Sequence, residues 1–325
     1  MRMLKPIDQC DVNVLVDNIM DILSTAPDSV TGHVPNVLKA GATELSGKCL
    51  CCAHWGLSLV ITANHGADSH TLLFDSGPEG ETVERNGNRL GIEFSKIDAA
   101  MFSHGHWDHV GGMTSAIRLI NEAKSGEKTP VHVNDDMFVL RGMKLPDGRI
   151  IPFEELPDKS ELEGLGADIV SRAEEHTLLG DTFYISGEIP RVTPYEVGLP
   201  PHVKDIGNGW EPDPLIMDER YTAVHVKDKG IVVFTACSHA GVINVLKNAR
   251  EVFDPIPLYA VMGGFHLSGA ACEAIIPETI EDMKAFNLKL IVPGHCTGWR
   301  AIHKLVETFG EEVVVMSAVG QSHRF

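Results

Sequence analysis

Ser103-His104-Gly105-His106-Trp107-Asp108-His109-Val110-Gly111-Gly112 is the stretch on which the reading of this chain turns. It follows the apolar run IDAAMF (97–102) and sets four side chains able to bind a cation among the six residues from His104 to His109. Two histidines at i and i+2 in extended chain point the same way, so both imidazoles can reach one ion if the peptide between them bends; Gly105 is expected to supply that freedom. Asp108 and His109 fall where the chain turns into the next element, close enough to serve a second ion a few ångströms from the first. Gly111-Gly112 allows a close backbone turn. MTSAIRLINEAK (113–124) then has the apolar spacing of a helix laid on a sheet.

No single short segment completes two coordination shells, so distant donors are required. ACSHAG (236–241) places Cys237 and His239 at the end of an apolar strand, and PGHCTG (293–298) does the same for His295. Cys237 reads equally as a thiolate ligand or as an inert buried thiol. Asp75, in TLLFDSG (71–77), follows another apolar run. Glu188 and Arg191, in GEIPR, line a substrate cleft or lie in a solvated loop. Arg300, one turn past PGHCTGW, reaches an anionic substrate or belongs to the surface. CLCCAH (49–54) has four donors but no separate partner pair of the kind a structural zinc site needs, so packed thiols are the preferred reading. His33, His65, His70, His132, His176, His202, His225, His303 and His323 read as ordinary surface or packed histidines.

The 325 residues are 43% hydrophobic, enough for a sizeable core. Lys and Arg total 27 against 45 Asp and Glu, a formal charge of -18 that repels nucleic acid. An anionic small-molecule substrate stays compatible with that charge, because bound divalent cations reverse the local potential. No apolar run approaches the roughly 20 residues of a membrane span, and MRMLKPIDQCDV lacks the apolar stretch of a secretory signal, so a cytoplasmic protein without membrane partners is expected. Seven cysteines, irregularly spaced, suggest reduced thiols.

Strands are expected at 12–16, 57–62 and 131–134, with a short helix at Asn18–Leu23 in a turn-rich loop. YTAVHVKDKGIVVFTACSH (221–239) reads as a hairpin through Asp228-Lys229-Gly230. The helix VINVLKNAREVF, the strand LYAVMGGFHL (258–267), the helix IPETIEDMKAFN and the strand LKLIVPGHC (288–296) follow. Such alternation implies a layered α/β architecture, taken as one domain over 1–325 with insertions around 18–52 and 135–180.

TLLFDSG, the His-x-His-x-Asp-His run and GHCTG resemble the metallo-β-lactamase superfamily. The succession VNVLVDN, HWGLSLVI, SGEIPR, DERYTAVHV, FTACSHAGVIN, GGFHL and PGHCTG resembles its dihydropterin synthase-like branch. The likeness covers nearly the whole chain apart from parts of 18–52 and 135–180. It implies an αββα four-layer sandwich with metals at one edge between two sheets. It also implies that His104 and His106 bind a first metal, that Asp108 and His109 bind a second, and that His295 closes the second shell. His239 is taken as the remaining ligand of the first. Asp75 would hydrogen-bond a ligand histidine and fix its tautomer. The superfamily's mid-chain Gly-His turn and later bridging Asp correspond here to SGEIP and TACSH, so Glu188, Cys237, His239 and His266 compete for those roles.

The expected chemistry is hydrolysis of an ester or phosphoester by a metal-bound hydroxide, with Asp108 in the catalytic set. Two divalent ions carry it, zinc first, with manganese or iron as alternatives. The branch resemblance implies a second reading, transfer that joins a dihydropterin to a ribofuranosylaminobenzene phosphate with a pyrophosphate leaving group. A non-catalytic, metal-stabilised binding protein is the third, and the full set of donors in SHGHWDH weighs against it.

Overall fold

A strand buried on both faces sends alternate side chains into different layers, and the central strands of this chain show that division. On Asp68–Phe74, Leu72 and Phe74 enter one core while Leu73 enters another. On Gly230–Thr235, Val232 and Phe234 join the first of these cores, and Ile231 and Val233 a third. The structure, a computed structural model, describes residues 4–325.

The larger sheet runs in the order Val30–Thr31, Ser322–Arg324, Gln9–Val16, Ser58–His65, Asp68–Phe74, Ala99–Met101, Thr129–Val133, Ala167–Ser171. The second runs His176–Leu178, Phe183–Ile185, Thr222–Val226, Gly230–Thr235, Leu258–Gly264, Leu290–Gly294. Val14, Ile61 and Phe74 of the one pack with Phe234, Met262 and Val292 of the other. Helices Gly80–Leu90 and Met113–Ala123 cover the outer face of the larger sheet. Val242–Phe253, Ile276–Met283 and Trp299–Phe309 cover that of the smaller. This is the expected αββα sandwich.

The pairings that matter for function are parallel: Asp68–Phe74 with Ala99–Met101, and Gly230–Thr235 with Leu258–Gly264 and then Leu290–Gly294. In open α/β sheets the carboxyl ends of parallel strands are where ligands gather. Asp75, the SHGHWDH run, Cys237 with His239, His266 and His295 all follow closely on such ends.

Two regions differ from expectation or go beyond it. Asn18–Leu23 is not helical, because the Asp21 carboxylate accepts the N–H groups of Leu23 and Ser24, both at 3.0 Å, and holds a local turn instead. Leu23 is 91% exposed, so the segment has no buried face to reward a helix. The helix of that loop is His33–Lys39. Residues 135–180 contribute edge strands to both main sheets, and with His202–Asp205 and Trp210–Pro212 they build a small third sheet through Arg141–Lys144 and Ile150–Pro152. No helix among the described residues is long and apolar enough to cross a membrane.

Candidate metal centre

Four non-glycine residues with positive φ sit just past strand ends on this edge: Asp75 (58°), Ser238 (59°), His266 (43°) and His295 (46°). A left-handed residue with a Cβ costs about 1–2 kcal/mol, and such strain concentrates at functional sites. Its effect here is to turn the chain sharply out of each strand, so that side chains collect at the edge.

Gly105 has a different role from the one expected. It is not among the positive-φ residues. A Cβ there would lie 2.0 Å from the Met137 carbonyl oxygen and 2.5 Å from Arg141 Nη1, so the glycine provides clearance. The Gly105 N–H donates to Asp218 Oδ2 at 2.8 Å. Arg141, buried beneath the bend, donates to Asp218 Oδ1 at 2.7 Å, to Asp213 Oδ2 at 3.3 Å and to the carbonyls of Asp136 and Met137. A buried guanidinium shared by two carboxylates thus fixes the His-Gly-His segment from below.

Asp75 governs two histidines at once. Its Oδ1 accepts the Ser103 N–H at 2.7 Å; its Oδ2 accepts the Ser103 hydroxyl and His109 Nδ1–H, each at 2.8 Å. With its proton committed to Asp75, Ser103 Oγ accepts from His104 Nδ1, 2.9 Å away. His104 is therefore left with a bare Nε2, and that atom is buried with no hydrogen-bond partner. Both ring nitrogens of His239 are likewise buried and unpartnered. An orphan of this kind costs about 1–3 kcal/mol unless something else binds it.

Donor atoms of His104, His106 and His239 lie within 4.8 Å of one another, and those of Asp108, His109 and His295 do the same. The first group is all imidazole, and burial holds all three rings well below the usual histidine pKa, hence neutral at pH 7. The second group carries charge. Burial pushes the Asp108 carboxyl up, but His109 and His295 outweigh it and hold it at about 2. Burial likewise pushes His109 down, and Asp108 and Asp75 outweigh it and raise the ring to about 9. His109 Nε2 is 3.2 Å from His295 Nε2 and 3.1 Å from Cys237 Sγ, whose sulfur meets that of Cys296 at 3.3 Å. His266 joins Cys237 and His239 in a neighbouring cluster.

Glu219, buried at the foot of this edge, accepts the N–H groups of His239 and Ala240 at 2.8 Å and so fixes the TACSHAG turn. Asp17 accepts the His295 N–H at 3.1 Å, and the Trp55 ring lies 5.3 Å from that of His295. His202 Nε2 touches His106 Nε2 at 2.9 Å. The sequence reading passed over all four. Asp17 had a signal, an apolar run ending in a carboxylate as at Asp75. His202 had none, because the residues that hold it come from other strands.

The remaining candidates lie apart. Glu188 is exposed, and no metal-type cluster among the described residues includes it. Arg191 donates to the carbonyls of Ile189, Leu215 and Ile216. Arg300 pairs with Glu273 at 3.1 Å on the surface. Cys49, Cys51, Cys52 and His54 form no donor cluster. Beside His239 and His266 a cavity is walled by Tyr195, Phe265, Leu267 and Ile275, which suits an apolar or aromatic portion of a ligand.

Residues 56–214 match the metallo-beta-lactamase superfamily. That segment is a metallo-beta-lactamase superfamily domain. The chain is 29% identical to the 7,8-dihydropterin-6-methyl-4-(beta-D-ribofuranosyl)-aminobenzene-5'-phosphate synthase of Methanocaldococcus jannaschii, over 79% of this chain and 85% of that one. Among solved structures it is similar to Tm1679, a metal-dependent hydrolase of the beta-lactamase superfamily, with a TM-score of 0.70, 20% identity, and coverage of 96% of this chain and 98% of the other. It is also similar to the metallo-beta-lactamase fold protein YhfI of Bacillus subtilis, with a TM-score of 0.53, 13% identity, and coverage of 98% and 100%. At these identities the two structures show that the superfamily fold is shared.

Proposed function

We propose that the chain is a binuclear metal-dependent hydrolase of a small-molecule ester or phosphoester. His104, His106 and His239 would hold one divalent cation, and Asp108, His109 and His295 the other. The observation that carries this reading is the set of buried, unpartnered nitrogens on His104 and His239, next to an anionic Asp108. Residues with that donor chemistry fit zinc, with manganese and iron as alternatives. Two divalent cations supply positive charge that acidifies water and polarises a carbonyl or phosphoryl oxygen.

The chain's own contribution is preorganisation. Asp75 and Ser103 dictate which nitrogen His104 and His109 present, Glu219 and Asp17 hold the backbones of His239 and His295, and Asp108 stays anionic. An ionised Asp108 beside His109 and His295 can accept a proton as a nucleophile forms. The Tyr195, Phe265 and Leu267 wall would orient the apolar part of the substrate.

The M. jannaschii relative favours a second reading, synthesis of a pterin-aminobenzene phosphate conjugate. One experiment separates the two: elemental analysis of the purified protein, followed by product analysis with phosphodiesters, lactones and thioesters, and with a dihydropterin pyrophosphate plus a ribofuranosylaminobenzene phosphate. Metal-dependent hydrolysis lost in His106→Ala supports the first reading. Conjugate formation without hydrolysis would replace it with the second, and undiminished hydrolysis by metal-free protein would end both.

A further inference from the structure

His202 and His106 come from different elements. His202 opens the strand His202–Asp205 of the small sheet, and His106 precedes the one-turn helix Trp107–Val110. Their Nε2 atoms are 2.9 Å apart and buried, so only one of the two can carry the shared proton. The other nitrogen of His202 decides which. His202 Nδ1 lies 2.7 Å from the Asp213 carbonyl oxygen, an acceptor that cannot donate, so Nδ1 bears a hydrogen. A neutral His202 then has a bare Nε2, which must accept. His106 is the donor, its proton sits on Nε2, and its Nδ1 is left as a lone pair.

We infer that His202 is a positioning residue that selects the tautomer of His106, leaving Nδ1 as the unprotonated nitrogen that His106 can offer in its group with His104 and His239. The device parallels what Asp75 does for His109, but it is built from outside the sandwich. The same Arg141 that fixes Gly105 also binds Asp213, whose carbonyl orients His202. Phe153, on the stretch after Ile150–Pro152, closes the other side with ring centroids 5.4 Å from His106 and 5.8 Å from His202. Both ends of the histidine pair are thereby referenced to one buried cation.

The assignment rests on the metal reading only for its purpose; the tautomer itself can be read without any metal. Long-range proton–nitrogen correlation on histidine-labelled, metal-free protein is expected to show His106 protonated at Nε2 and His202 at Nδ1. In His202→Leu the His106 signal should change to the other tautomer or to a mixture, and affinity for one of two zinc ions should fall about 10- to 100-fold. His202→Gln, whose side-chain oxygen accepts from Nε2–H, should restore both. A wild-type His106 protonated at Nδ1 overturns the inference whatever the variants do, as does an unchanged tautomer in His202→Leu. Loss of zinc binding by the wild type would instead overturn the metal reading while leaving the tautomer result standing.

Discussion

The two halves of the centre have matching geometry and opposite electrostatics. His104, His106 and His239 are neutral rings kept so by burial, whereas Asp108, His109 and His295 combine a strongly acidic carboxyl with an imidazole that holds its proton, and thiols border them. Neutral imidazoles can offer a lone pair without losing a proton. The charged half must exchange protons before it can accept a cation. The difference teaches that one cluster is prepared by shape and the other by charge, and it can be pressed from several sides.

The largest effect is expected at the charge itself. Asp108→Asn keeps the volume and removes the anion, and turnover should fall on the order of a thousandfold, with bound metal dropping from two equivalents toward one by elemental analysis. Retention of both ions and of turnover would show that the second half does not need its carboxylate. Asp75→Asn comes next, because Asp75 reaches His109 directly and His104 through Ser103. Competition with a chelator should show both ions weakened, by about 10- to 100-fold; weakening of one alone would break the link between the halves.

A pH titration of metal uptake separates them further. His109 is raised to about 9, so below that pH its proton must leave before Nε2 can bind. Affinity of the second half should rise about tenfold per pH unit between 7 and 9, while that of the first stays flat, since its rings are already neutral. Calorimetry in buffers of different ionisation enthalpy would count the proton released. The smallest effect concerns Arg300, near the second half in sequence. Its exposed pair with Glu273 is of the kind worth about 0–1 kcal/mol, so Arg300→Ala should leave kcat and KM nearly unchanged. A marked rise in KM for an anionic substrate would return it to the cleft.

Much of this is legible in the sequence. The strand ends announced themselves because an apolar run that halts at Asp75, His104 or His295 is one signal carrying two meanings, the end of burial and the start of chemistry. His239 was found the same way. The parts that escaped depend on residues that meet only in three dimensions. Strands of three to five residues such as Ile150–Pro152 have too few positions for a period to show. His202 owes its place to Asp213 and Arg141, and Asp218 reaches back across the chain to Gly105. Gly105 was expected to bend and instead makes room.

That room has an evolutionary corollary. The Met137 carbonyl and Arg141 fill the space beside a residue that has no side chain, so none of these positions is free to drift by itself. A relative bearing alanine at the place of Gly105 should have moved the backbone that carries the Met137 carbonyl as well as the arginine, along with the two aspartates that arginine balances. Substitution histories at 105, 141, 213 and 218 should then be correlated, as linked letters of one word.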